Sequence, residues 1–224
     1  MTKPVATAVV PISAGRHTYK REPSFPIAVA CDPAFNFVYE ANIRYLHHLG
    51  EVTYFSPLAD TSLPDAGFVY LPGGYPELYL AALSANRQML QSIRRYVESG
   101  GKLLAECGGM MYLCDEIRDK NGYVYPMAGV LHQSATMENM KLRLGYRTLL
   151  YNETRLKGHE FHYSRLVEQQ NPLPSCAVAY TAKGVETDTP LYHYKNVWAG
   201  YTHLYWADPV GNEWFTKFVI DGNT

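Results

Sequence analysis

The chain has no C-x-x-C pair, no apolar run long enough to cross a bilayer, no excess of charge of either sign and no G-x-x-x-x-G-K-[ST] phosphate cradle. Each absence removes a class of protein. Its four cysteines, Cys31, Cys107, Cys114 and Cys176, are scattered with no secretory signal ahead of them. That pattern argues for a reducing, cytoplasmic setting and against a disulfide framework. A domain of 224 residues buries roughly 70% of the surface its unfolded chain exposes, so it needs no covalent or metal staple. With 20 Lys+Arg against 21 Asp+Glu and a net charge of −1, nothing electrostatic favours nucleic acid or an anionic membrane as partner. Residues 5–12 are apolar but short and broken by Pro11, a poor fit to a membrane span or a signal peptide. Gly101-Lys102 is followed by Leu103, so this pair does not complete a P-loop. No H-E-x-x-H or spaced Cys/His set suggests a metal, and His159 with His162 make only a weak pair.

What is present is the composition of an ordinary globule, 47% hydrophobic and 18% charged. Residues 1–24 carry His17, Lys20, Arg21 and no helical or strand period, and read as a linker remnant ahead of one domain over residues 25–224. From Pro26 short apolar runs alternate with amphipathic stretches, which predicts an α/β fold with a mostly parallel open sheet flanked by helices. Strands are expected over 27–31, 52–55, 67–71 and 103–105, with helices over 36–48 and around Met89, Ile93 and Val97, the latter ended by Gly100-Gly101. The strand at 67–71 runs into Pro72-Gly73-Gly74-Tyr75-Pro76-Glu77, a loop at the strand end where open α/β sheets bind ligands. The tyrosine-rich second half predicts strands over 144–151, 160–166, 177–180 and 198–203, and a closing helix around Trp214 to Val219.

The most informative passage is Glu106-Cys107-Gly108-Gly109-Met110-Met111, a cysteine and two glycines between a strand and a helix. A thiol at such a turn gains from the helix N-terminus, which lowers its pKa from about 8.5, and from neighbouring amides able to hold an oxyanion. Cysteine is also a common buried apolar residue. The flanking glycines decide between these readings, because they permit strained dihedrals and close substrate approach that a merely buried cysteine does not need.

At these residues the sequence resembles the class I (triad-type) glutamine amidotransferases, whose sheet is flavodoxin-like. The blocks Asp32-Pro33-Ala34-Phe35-Asn36-Phe37, Phe55-Ser56-Pro57-Leu58, Gly73-Gly74-Tyr75-Pro76-Glu77, Ala105-Glu106-Cys107-Gly108-Gly109 and Gly158-His159-Glu160-Phe161-His162 are similar to the C-terminal glutaminase domain of the cobyrinic acid a,c-diamide synthase family. The resemblance implies that Cys107 attacks the side-chain amide of glutamine to give a glutamyl thioester and ammonia. It implies that the amides of Gly74 and Gly108 form the oxyanion hole and that His203, late in Ala199-Gly200-Tyr201-Thr202-His203, is the base. It further implies a partner domain that uses ATP and Mg to amidate the a and c carboxylates of a corrinoid in cobalamin biosynthesis, with no cofactor in this chain.

One position departs from the wider class: where His-x-Glu is usual, Tyr205 follows His203 by two residues. A Cys-His dyad is therefore expected. Glu160 is a candidate to orient the histidine from a neighbouring strand, or is a core-paired carboxylate. His162 and Tyr75 are candidates on the substrate side, and Glu77 and Glu106 for positioning loops or binding polar groups. Two other readings stay open: a non-catalytic docking module that has lost turnover with the triad acid, and a Cys-His hydrolase of γ-glutamyl peptides.

Overall fold

A computed structural model describes residues 25–221. The expected linker over 1–24 lies outside the described residues. Strand β1 (Pro26–Ala30) leads to α1 (Glu40–Leu49), β2 (Glu51–Phe55) and β3 (Phe68–Leu71). Helices α2 (Leu80–Ala85) and α3 (Arg87–Glu98), strand β4 (Lys102–Glu106) and α4 (Gly108–Leu113) follow. Strands β1, β3 and β4 are buried over nearly their whole length, as strands covered on both faces must be. Alternation sends Ala28, Ala30, Val69, Leu71, Leu103 and Ala105 to one face, where they meet Leu83, Met89, Ile93 and Val97. Ile27, Val29, Phe68, Tyr70 and Leu104 face the other way, toward Leu46, Trp198, Trp206 and Phe215.

The second half adds β5 (Glu116–Arg118), β6 (Val124–Pro126), β7 (Ser134–Thr136), β8 (Arg143–Tyr151), β9 (Thr154–His162) and β10 (Arg165–Leu166). It closes with β11 (Val178–Thr181), β12 (Glu186–Thr187), β13 (Leu191–Tyr194), β14 (Val197–Gly200), β15 (His203–Leu204) and α5 (Pro209–Thr216). The main sheet has the order β13-β14-β4-β3-β1-β2. Its neighbours are parallel except at the β13–β14 edge. A second sheet, β12-β11-β8-β9-β15, is antiparallel throughout, and a small one, β10-β7-β5-β6, covers the side of α4.

Three boundaries differ from the sequence expectation for stated reasons. The helix predicted from residue 36 begins at Glu40, because the Phe37 N–H is taken by the Gly73 carbonyl (3.0 Å) and the Ala34 N–H by the Asp32 carboxylate (2.8 Å). The strand predicted over 198–203 is two strands: β14 stays in the main sheet, and after Tyr201-Thr202 the chain leaves it so that His203 pairs with His159 in the second. The strand predicted over 160–166 overlaps the end of β9, which begins at Thr154 to pair with β8, and after Tyr163-Ser164 the chain changes sheets so that β10 pairs with β7.

That departure of β15 is held by a fully buried side chain of α1. Asn42 donates from Nδ2 to the Leu204 carbonyl (2.8 Å) and accepts at Oδ1 from the Trp206 N–H (3.1 Å). Replacing it orphans one buried carbonyl and one buried N–H, each costing about 1–3 kcal/mol. Asn42→Ala is expected to lower unfolding stability by about 3 kcal/mol in urea titration. A loss below about 1 kcal/mol would show that β15 is fixed by other contacts.

Candidate active site

Four strand ends of the main sheet meet at one edge, and the chemistry-bearing residues lie there. Cys107 follows β4 with φ 48° and ψ −105°, a conformation a non-glycine residue holds only when its surroundings impose it. The imposing contacts are on either side. The Cys107 N–H donates to the Gly200 carbonyl at the end of β14 (2.7 Å), its carbonyl accepts from the Met111 N–H (3.0 Å), and the Gly109 N–H donates to the Pro72 carbonyl (3.1 Å).

The Gly73-Gly74 loop is pinned to the 32–37 loop by Phe37 N–H donating to the Gly73 carbonyl and Tyr75 N–H to the Ala34 carbonyl, both at 3.0 Å. Gly74 has φ +157°. Its amide takes no part in those bonds, and a Cβ built on Gly108 would lie 3.3 Å from the Gly74 nitrogen. The two amides expected to form the oxyanion hole are thus close neighbours beside Cys107.

His203 sits on β15 at 3% exposure. One edge of its ring abuts the loop so closely that a Cβ on Gly73 would fall 2.1 Å from Cε1. Phe37 meets the ring edge-on with centroids 4.4 Å apart, and His159 stacks on it at 5.0 Å and 22°. Its Nδ1 has no hydrogen-bond partner among the described residues. Cys107 and His203 line one cavity of about 240 Å³ together with Phe37, Gly74, Tyr75, His159 and Phe161. On its other side Cys107 lines a throat of about 20 Å³ with Tyr75, Glu77, Met111, His162 and Ser164. Larger cavities of about 300 Å³ lie along α3 and beside Arg143, and neither contains Cys107.

Burial dominates the electrostatics of the pair. Against the lowering expected at a helix N-terminus, burial pushes the Cys107 thiol up to about 12, reinforced by the Glu77, Glu106 and Glu160 charges and opposed by the Gly108 amide. It pushes the His203 imidazole down to about 3, with His159 and His162 adding to the shift. Both directions favour a neutral thiol beside a neutral imidazole in the resting site.

Glu106, next to the cysteine, is 2% exposed and holds three donors. Oε2 accepts from the Tyr70 hydroxyl (2.6 Å), while Oε1 accepts from the Leu204 N–H (3.0 Å) and the Trp206 indole N–H (3.5 Å). It therefore fixes the residue after His203. Burial raises its pKa from 4.5 to about 7 against the lowering effect of those bonds.

Glu160 is placed differently from the orienting role considered for it. It is buried on the opposite face of β9 from His159, 2.8 Å from an Arg147 nitrogen as an ion-pair contact rather than an aligned hydrogen bond. It lies 4.0 Å from His162 Nε2 and makes no contact with His203. His162 stacks on Tyr201 (3.8 Å, 7°) and its Nδ1 meets the Ser164 carbonyl (2.9 Å), so it walls the throat. Tyr75 is 45% exposed at the mouth shared by both spaces. The sequence reading missed Tyr39, whose hydroxyl lies 2.5 Å from His159 Nδ1 across 120 residues of chain. No local pattern announces such a contact.

The CobB/CobQ-like glutamine amidotransferase domain matches this sequence over residues 26–210. The chain belongs to that family. Among curated relatives it is 40% identical over 185 residues to a hydrogenobyrinate a,c-diamide synthase of Pseudomonas aeruginosa, covering 80% of this chain and 41% of the relative. It is also 40% identical over 188 residues to a cobyrinate a,c-diamide synthase of Fusobacterium nucleatum, with the same coverage of each chain. The chain therefore spans about two-fifths of the length of these relatives. In fold it is similar to a solved glutamine amidotransferase (TM-score 0.55, 17% identity, 86% of this chain and 98% of that one). It is similar also to PurLQS from Thermotoga maritima (TM-score 0.55, 16% identity, 88% and 96%). The α/β sheet flanked by helices is thus that of the class I glutamine amidotransferases. Among the described residues no group of three or more His, Cys, Asp or Glu could hold a metal ion, and no helix is long and apolar enough to cross a membrane.

Two expectations follow from this geometry. Gly73→Ala forces His203 aside by its Cβ, and a displacement of about 1 Å can cost about 100-fold in rate. Glutamine hydrolysis should fall by about that factor with unchanged far-UV circular dichroism, and near-normal turnover would mean that the loop and His203 are not in the contact described. Glu106 binds a proton in the folded chain between pH 4.5 and about 7, where the unfolded chain has released it, so its contribution to stability falls as pH rises through that window. Glu106→Gln removes that slope. Equal pH dependence of the unfolding free energy in both proteins would contradict the raised pKa.

Proposed function

We propose that this chain is the glutaminase unit of an ATP-dependent amide-forming enzyme, and that Cys107 and His203 carry its hydrolysis of glutamine. The observation that supports this most is the strained Cys107 elbow with the Gly74 and Gly108 amides beside it and His203 on the same cavity.

The chemistry follows from a neutral resting pair. As the sulfur bonds to the side-chain carbonyl carbon of glutamine, the thiol proton passes to His203, and the carbonyl oxygen becomes an oxyanion facing the two amides. Removing one such donor typically costs about 2.7–4 kcal/mol of transition-state stabilisation. The imidazolium returns its proton to the departing nitrogen, the C–N bond breaks, and ammonia leaves a glutamyl thioester. Water, deprotonated by His203, then attacks the thioester carbon, and glutamate leaves as the proton returns to sulfur.

The relatives named for a,c-diamide synthesis of cobyrinate and hydrogenobyrinate support a corrinoid as the acceptor of that ammonia. A synthetase domain or subunit would bind it together with ATP and Mg, as the extra length of those relatives favours.

The reading is checked by intact mass after incubation with a glutamine-mimicking electrophile, with and without excess glutamine. A single adduct mapped to Cys107, prevented by glutamine and lost in Cys107→Ala, is the expected result. An adduct that γ-glutamyl peptides prevent better than glutamine would favour the peptide hydrolase. Absence of any adduct, both alone and with the synthetase partner, would favour a non-catalytic docking module.

A further inference from the structure

Among the described residues no carboxylate orients His203. Glu106 is committed to Tyr70, Leu204 and Trp206, Glu160 to Arg147, and the position two residues after the histidine is Tyr205. The ring is nevertheless enclosed on three sides, by the Gly73 backbone, by the Phe37 edge and by the face of His159. His159 in turn is held by the Tyr39 hydroxyl at Nδ1, and Tyr39 is braced edge-on by Tyr205 with centroids 5.5 Å apart.

We propose that Tyr39 and His159 do the work of the absent triad carboxylate: the Tyr39 hydroxyl keeps His159 a neutral imidazole, and that ring, lying flat against His203, fixes its plane and faces the imidazolium it forms. His159 is then a positioning residue for the base, and Tyr205 supports the device from the place where an acid stands in the wider class. The inference rests on His203 being that base.

The direction of the Tyr39–His159 bond follows from the surroundings. The Tyr39 hydroxyl has no other acceptor among the described residues, and burial, with the Glu106 charge second, raises its pKa to about 12. It keeps its proton and donates to Nδ1, so His159 carries its own proton on Nε2. A neutral ring presents a π face that attracts a cation. A protonated His159 would put a like charge about 5.0 Å from His203 and oppose the proton transfer. The groups around His159 are Glu160 beside it on β9, Tyr146 opposite it on β8, His203 on β15 and Tyr205 just after it, and Phe37 and Tyr39 before α1, with Cys107, Glu106 and His162 nearby. Burial lowers the His159 pKa, and the Glu160 charge acts against that.

The test compares His159→Ala, His159→Phe and Tyr39→Phe by glutaminase kinetics across pH, with the synthetase partner present where the chain alone is silent. His159→Ala should lower kcat about tenfold with KM within about twofold, and His159→Phe, which restores a flat ring, should recover most of that loss. Tyr39→Phe frees Nδ1 to take a proton, raises the His159 pKa, and should move the acid limb of the pH profile to higher pH. In the same proteins, imidazole nitrogen chemical shifts by NMR read the tautomer without turnover, and the resting chain should show His159 protonated at Nε2 alone. Unchanged kcat in His159→Ala, a phenylalanine variant as impaired as the alanine one, or His159 protonated at Nδ1 would each overturn the proposal. Full activity in His203→Ala would instead overturn the assignment of the base on which it rests.

Discussion

The carboxylate of Glu106, buried between the strand that ends in Cys107 and the short strand that carries His203, is the constraint on which the arrangement of the site depends. β4 belongs to the parallel sheet and β15 to the antiparallel one, so no continuous ladder sets the distance between Cys107 and His203. One oxygen of Glu106 takes the Leu204 amide and the Trp206 indole, and the other takes Tyr70 from the neighbouring strand β3. A charge in that position is costly to desolvate, and three donors offset only part of the cost, as the upward shift of its pKa shows. What the cost secures is a fixed register between two sheets at the one place where the register matters chemically.

The same burial governs Cys107 and His203. A thiol pushed up and an imidazole pushed down both disfavour a thiolate–imidazolium ion pair between them. In the proposed hydrolysis, separated charge would arise as the glutamine carbonyl arrives, with the negative end at the amides of Gly74 and Gly108. The positive end would sit on a ring enclosed by Phe37 and His159.

Legibility in the sequence followed the range of the interaction. The Cys107 elbow and the Gly73-Gly74 loop were readable because each is a local device, a few residues whose types permit backbone geometry that others resist. The parallel strands were readable as short apolar runs, and α3 as a periodic stripe of Met89, Ile93 and Val97. The start of α1 was misjudged because the apolar period continues backward through Phe37, whose amide is claimed by a glycine carbonyl 36 residues on. The break between β14 and β15 was invisible, since residues 198–203 are buried without interruption like one strand, and only the pairing of His203 with His159 shows that it has changed sheets. Tyr39 and Asn42 make contacts between distant elements with no signature in spacing, whereas the Glu160–Arg147 pair is a diagonal contact across the β8–β9 hairpin.

The change of sheet by β15 also explains how His203 can be positioned without a carboxylate two residues later. In a single continuous strand, residues two apart point the same way, and an acid there is the natural partner for the imidazole. Here β15 is only two residues long, and its path is set by groups outside it. Asn42 of α1 holds the Leu204 carbonyl and the Trp206 amide, Glu106 of β4 holds the Leu204 amide, and the Lys157 carbonyl of β9 accepts from the Tyr205 N–H (2.7 Å). Backbone groups on both sides of His203's neighbours are thus engaged by three different elements, so the direction of its side chain is determined before any partner for Nδ1 is needed. With the main chain fixed to that degree, what remains to be controlled is rotation of the ring about its own axis, which flat contact with a neighbouring ring can restrain.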